Sequence, residues 1–129
     1  NPLGRVAEII ILDQFSRQFF RGKAKAFAFD GMALVLAQEL VATGDDKTLT
    51  IDQRSFAYMP YMHSESLKIH DEAVKLFGSL NVEATLEFEI AHRDVIVRFG
   101  RFPKRNEALG RISTKEEKAY MEERGDSFF

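Results

Sequence analysis

Apolar residues recur along this chain at helical spacing, and no segment shows the strict alternation that a half-buried strand requires. A broad apolar face through Val6, Ile9, Ile10, Leu12, Phe15 and Phe19 predicts a first helix from about Leu3 to Phe20, with Gly22 marking its end. Asp30 stands where an N-cap belongs, its carboxylate placed to accept from the free N–H groups of the next turn. The helix it opens carries Met32, Leu34, Val35, Leu36 and Leu40 and closes at Gly44. Thr50 and Gln53 have capping-box spacing, which predicts a third helix running through Tyr58 and ending near Pro60. Ser64 opens a fourth, with Leu67, Ile69, Val74, Leu76 and Phe77 inside. Glu83 to Phe99 reads as a long fifth helix ending at Gly100. Ser113 or Thr114, followed by Glu116 and Glu117, starts a short sixth. The connections are short, so neighbours should pack antiparallel. The expectation is one all-α domain over residues 1–129, a right-handed array of about six helices in hairpins.

Composition narrows the function more than the fold. A chain of 129 residues supports one core and not two. The absence of cysteine excludes disulfides, thiolate metal sites and a cysteine nucleophile, and fits a reducing cytoplasm. No apolar run reaches the roughly 18 residues that span a bilayer, so no membrane association is expected. The opening stretch turns charged too soon for a signal peptide, and its start at Asn1 rather than Met suits a trimmed chain or a fragment. A formal net charge of −2 gives no general attraction to nucleic acid.

Candidate chemistry gathers in four places. On the fifth helix Phe88, His92, Val95 and Phe99 share a stripe, which points His92 at the core or at a pocket beside it. Asp94 and Arg98 are spaced to pair, as are Glu89 and Arg93. An ion pair from Asp94 to Arg98, or to an arginine of the following loop, would pin that loop. The tripeptide His92-Arg93-Asp94 matches a kinase catalytic loop in letters only, because Phe99 stands where the metal-binding asparagine belongs. The second cluster is His63, Ser64 and Glu65, between two helices, where free N–H groups favour anions. His63 and His70 lie seven apart, which is not a metal-ligand spacing, and no metal or cofactor is expected. Third, Asp13, Arg17 and Arg21 form a ladder at four-residue steps, read as a solvated charged face unless it turns toward His63 or His92. Finally, Arg93, Arg98, Arg101, Lys104, Arg105 and Arg111 stand against only Asp94 and Glu107, with Phe99 and Phe102 among them. A loop whose arginines pair with neighbouring carboxylates explains this better than single-stranded nucleic acid does.

The stretches "ILDQFSRQFFRG", "KAFAFDGMAL", "YMPYMHSES", "HRDVIVRFGRFPKRN" and "ALGRISTKEE", in this order, resemble the bacterial domain of unknown function family 924. The resemblance covers nearly the whole chain. It implies a tetratricopeptide-repeat-like α-α superhelix and brings no established reaction, cofactor or partner. The polar signature it implies falls on Asp13, Gln14, Arg17, Arg21, His63, Ser64, Glu65, His92, Arg93, Asp94, Arg98, Arg101, Arg105 and Asn106. The chain departs from the pattern at Ser16 and Gln18, where proline and asparagine are usual, and at Lys104, where histidine is usual. His70-Asp71 replaces a usual Gln-Glu pair. A further N-terminal stretch with a tryptophan motif is also expected of the family, and this chain has no tryptophan.

Two functions follow from these residues. The first is a helical-hairpin module whose groove binds a protein or peptide segment or assembles with itself. The apolar surplus of the first helix predicts a two-fold homodimer in which this helix or the surface beside it is buried by its own copy; Ile10, Ile11 and Phe20 all covered within one chain would count against it. The alternative is an enzyme or small-anion-binding protein. Its pocket would draw on Arg17, His63, Glu65, His92, Asp94, Arg98, Arg101 and Arg105. Convergence of His63, His92, Arg17 and Arg98 on one concavity decides between them.

Overall fold

The computed structural model describes residues 1–127 and 129, and among these there is no strand. One continuous rod opens the chain: α1 (Pro2–Ile10), a π-helical turn over Ile11–Phe15, and α2 (Ser16–Phe19). Then come α3 (Asp30–Ala42), α4 (Ile51–Met62), α5 (Leu67–Gly78), α6 (Glu83–Phe99) and α7 (Lys115–Arg124), so the described residues form six helical rods. Short 3-10 turns fill the bends at Ala24–Phe27, Asp45–Thr48 and Pro103–Arg105.

Consecutive rods touch: α1 packs on α3 and α4, α3 on α4, α4 on α5, and α5 on α6. Alanines 33, 37, 57 and 73 are almost wholly buried where helices cross, and their small size lets the axes approach. Around them Ile9, Leu40, Tyr58 and Phe77 fill the main core. Each large apolar side chain buried there contributes about 1.5–3 kcal/mol. A smaller cluster of Val95, Ile96, Phe102 and Tyr120 seats α7 and the loop before it on α6.

Several local expectations change on contact with the fold. The capping boxes of α4 (Thr50 with Gln53) and α7 (Thr114 with Glu117) are both formed. Helix α4, however, runs through Pro60 to Met62, since proline removes one backbone bond but packing of Tyr58, Tyr61 and Met62 holds the last turn. Ser66, not Ser64, caps α5. Asp30 begins α3 without capping it, because its carboxylate is engaged by Arg17. Asp94 is exposed and has no ion-pair partner among the described residues, so it does not pin the loop after α6. Arg98 instead lies over the rings of Phe99 and Tyr120.

Glu89 also departs from the expected pairing with Arg93, which bonds Asp71 instead. Glu89 and His70 are fully buried together, with His70 Nδ1 2.8 Å from Glu89 Oε2 and Nε2 2.6 Å from the Ser64 carbonyl. A carbonyl only accepts, so Nε2 carries a proton, and one more proton must sit between Nδ1 and the carboxyl. The pair is neutral as a unit, and burial pushes the Glu89 carboxyl up more than His70 draws it down. It fixes the turn between α4 and α5. That turn carries His63.

Candidate functional site

The first rod shows how polar groups come to face inward. Val6, Ile9, Asp13 and Ser16 follow one another at three- and four-residue steps and are all buried. The apolar letters Phe15 and Phe19, expected on the buried face, lie outside it, and Phe19 is 76% exposed. Asp13 sits within the π turn, a local widening that re-aims side chains. The ladder of Asp13 and Arg17 is therefore not a solvated face. It turns toward His63.

Asp13 is wholly buried, a placement that costs several kcal/mol unless its oxygens are filled. They are filled. His63 Nδ1 lies 2.8 Å from Oδ1, Arg17 Nη1 donates to the same oxygen at 3.2 Å, and Gln14 Nε2 donates to Oδ2 at 2.7 Å. Burial pushes the Asp13 carboxyl up, but His63, Arg17 and Gln14 outweigh it and hold the group below its ordinary value. Burial likewise pushes the His63 imidazole down, more than Asp13 raises it, so the ring is neutral with its proton on Nδ1. Nε2 makes no hydrogen bond among the described residues, and His63 lines a cavity. An oriented, neutral imidazole thus presents a lone pair.

His92 repeats the arrangement with a different anchor. Its Nδ1 donates to the Phe88 carbonyl at 2.7 Å, and burial pulls its pKa down to about 4. The two rings stand 6.4 Å apart, centroid to centroid, in the wall of one cavity of about 490 Å³. Such a volume suits a small organic molecule.

Cations surround this cavity. Arg17 is committed to Asp30 by a bidentate pair at 2.8 and 2.9 Å. Arg105 donates to the His63 carbonyl at 2.9 Å and lies between the rings of Phe27 and Phe102; burial and nearby Arg17 bring its pKa to about 10, so it remains charged at neutral pH. Lys104 reaches the Gly125 carbonyl, and Arg21 is exposed with no ion-pair partner among the described residues. All four line the cavity. Against them stand two carboxylates behind its wall, the buried one of Asp13 and that of Asp30, which holds Arg17 and stands 3.7 Å from Arg105 Nη1, so positive charge is in excess.

The remaining expected residues build the walls from behind. Glu65 takes Arg111 in a bidentate pair at 2.8 and 3.0 Å and accepts the Phe102 N–H at 2.6 Å. Burial raises the Glu65 carboxyl, but Arg111 and the Phe102 N–H hold it below its ordinary value. Arg101 pairs with Glu117, which it holds down at about 2. These contacts set the loop that delivers Phe102, Lys104 and Arg105. Of the expected residues, then, Arg17, His63, His92 and Arg105 meet in the cavity; Glu65, Asp94, Arg98 and Arg101 do not line it, so the convergence expected of His63, His92, Arg17 and Arg98 is met by three of the four. The charged ladder that contains Asp13 reads in sequence as a solvated face, which misses its burial against His63; Asp30 reads only as a helix cap, and Phe27 and Phe129 are not among the candidates. A signal for Asp13 does exist in the sequence: it occupies an apolar stripe position after Val6 and Ile9.

A family model described as bacterial protein of unknown function (DUF924) matches residues 1–125. The chain belongs to the DUF924 family. Among solved structures, a protein of unknown function from Agrobacterium tumefaciens is similar to this DUF924 chain, with a TM-score of 0.91 and 38% sequence identity. The match covers 95% of this chain and 69% of that one. No curated protein matches the sequence. Within the DUF924 chain no helix among the described residues is long and apolar enough to cross a membrane.

Proposed function

We propose that this DUF924 chain binds a small anionic molecule in the cavity and presents it to His63 acting as a general base. The observation that carries the reading is the wholly buried Asp13 carboxylate on His63 Nδ1, 2.8 Å away, behind a cavity wall. Helix packing alone is better served by an apolar side chain at that stripe position. A carboxylate there fixes the imidazole tautomer and leaves Nε2 free to take a proton from a hydroxyl or water brought by the ligand; Asp13 then steadies the imidazolium that forms. Because burial depresses the His63 pKa, the proton is readily returned. Arg21, Lys104 and Arg105 supply the charge for a carboxylate or phosphate, which arginine meets with two parallel bonds. We read the hairpins as a tetratricopeptide-repeat-like superhelix with this cavity on its concave side.

Thermal melts and titration calorimetry with small carboxylates and phosphates test the reading. A ligand present at a hundred times its dissociation constant stabilises the fold by about 2.7 kcal/mol, a shift of several degrees. Replacing Arg21 by Ala removes one charge-assisted contact of about 1.5 kcal/mol, which is about tenfold in affinity. Affinity unchanged by this substitution, or binding that ignores ionic strength, sinks the proposal.

A second proposal rests on a different surface. Leu3, Ile11, Phe15 and Phe19 are all exposed on the first rod, and we propose a two-fold homodimer through this face.

A further inference from the structure

We infer that the ligand carries a planar ring as well as its anionic group, and that the ring lies against His92. This deepens the proposal above and rests on it. The slot already shows what it accepts: the Phe129 ring is stacked on the His92 ring with centroids 3.7 Å apart and planes 20° from parallel. Phe102 stands edge-on to His92 at 5.7 Å and closes one wall. Phe88, 60% exposed, lines the same cavity and offers a second apolar surface. The Arg124 guanidinium lies 4.8 Å from the Phe129 centroid, a distance at which a cation attracts an aromatic face. Tyr120 Oη donates to the Phe129 carbonyl.

The chemistry of the slot fits a ring better than a bare anion. His92 is held by Nδ1 to the Phe88 carbonyl, so the imidazole plane is fixed before anything binds. Its neighbours in that part of the cavity are Phe88, Phe102 and Phe129, whereas Arg21, Lys104 and Arg105 supply the charge. A cavity of about 490 Å³ holds both parts of such a molecule, with the anionic group at the cations and the ring in place of Phe129. The ligand class is therefore an aryl carboxylate or aryl phosphate, and Phe129 occupies the subsite until the ring displaces it.

Calorimetry with four probes decides the matter: acetate, benzoate, inorganic phosphate and phenyl phosphate, each against the wild-type chain and Phe129→Ala. The expected result is that benzoate and phenyl phosphate bind more tightly than their ring-free counterparts. Phe129→Ala should tighten the two aromatic probes by about two- to tenfold, the range of one aromatic stack, and leave acetate and inorganic phosphate unchanged. His92→Ala should erase the aromatic preference, with circular dichroism confirming that the variant is folded. Equal binding of ringed and ring-free probes, or equal tightening of both by Phe129→Ala, overturns the ring subsite while leaving the anion site standing. Failure of all four probes to bind either protein overturns both.

Discussion

Replacing Asp13 by Asn keeps the shape of the side chain, removes its charge and turns one acceptor oxygen into an N–H donor. Asp13 accepts hydrogen bonds from His63, Arg17 and Gln14. The amide oxygen of Asn can still accept from His63 and Arg17, while its N–H group meets Gln14, whose side chain must turn to offer its own oxygen. Bonds to an ionised acceptor contribute about 1.5–3 kcal/mol and neutral ones about 0.5–1.5, so this exchange costs about 3 kcal/mol. Against this, Asn avoids burying an ion, a relief of several kcal/mol before pairing is counted. Arg17 is not orphaned, since both its terminal nitrogens still hold Asp30 at 2.8 and 2.9 Å. The terms nearly cancel, and a net destabilisation of about 1 kcal/mol is expected, within the range of ordinary point mutants. The effect on His63 does not cancel. Asp13 is the group that opposes burial at this imidazole, so without its charge the His63 pKa should fall further. Resonances of the three histidines, followed by NMR through an acid titration, report this directly. An unchanged His63 titration in Asp13→Asn, with the wild-type stability retained, refutes the claim that the carboxylate tunes the imidazole.

Two other outcomes follow from the same geometry. His92 is held down at about 4 from an ordinary 6.5, so as pH falls below 6.5 the unfolded chain takes up a proton that the folded chain refuses. Stability should therefore be full above pH 6.5 and decline toward pH 4; allowing for solvent around a partly exposed ring, the loss is about 2 kcal/mol and His92→Phe should remove it in urea melts at pH 7 and 4.5. For the homodimer, sedimentation velocity at micromolar concentration should show a dimer that Ile11→Glu dissociates without loss of helix by circular dichroism; a wild-type monomer ends that proposal.

Most of the helical framework was legible because helix punctuation is local. Thr50 with Gln53 and Thr114 with Glu117 satisfy backbone N–H groups within one turn, whatever surrounds them. Gly100 ends α6 with a left-handed φ of 72°, again a property of one residue. Misreadings arose where a distant partner outbid a local one. Asp30 has the sequence position of an N-cap, yet Arg17 from another helix supplies two charge-assisted bonds where a cap supplies one. Ser64 has the right hydroxyl for a cap, but its carbonyl is fixed by His70 and the helix starts after Ser66. Glu89 and Arg93 are well spaced to pair, and Glu89 is drawn inward by His70 instead.

The site was harder to read than the fold for a reason that lies in the first rod. A search for apolar periodicity assigns the inward face by counting apolar letters, and Phe15 and Phe19 supply large ones. The stripe that is actually buried continues from Val6 and Ile9 to Asp13 and Ser16, and at Asp13 the polar side chain holds His63, Arg17 and Gln14. Buried Asp13 orients His63 from fifty positions away, and neither residue alone reveals the other. Local propensity and site chemistry thus conflict at one turn of helix, and the conflict is itself the mark of the site, since a chain that merely needed a core would have placed an aliphatic residue there. The π turn falls on the same residues. A local distortion, a buried charge and an oriented imidazole at a single place are three departures from the ordinary helix rules, and they are the observations on which the general base proposed for His63 rests.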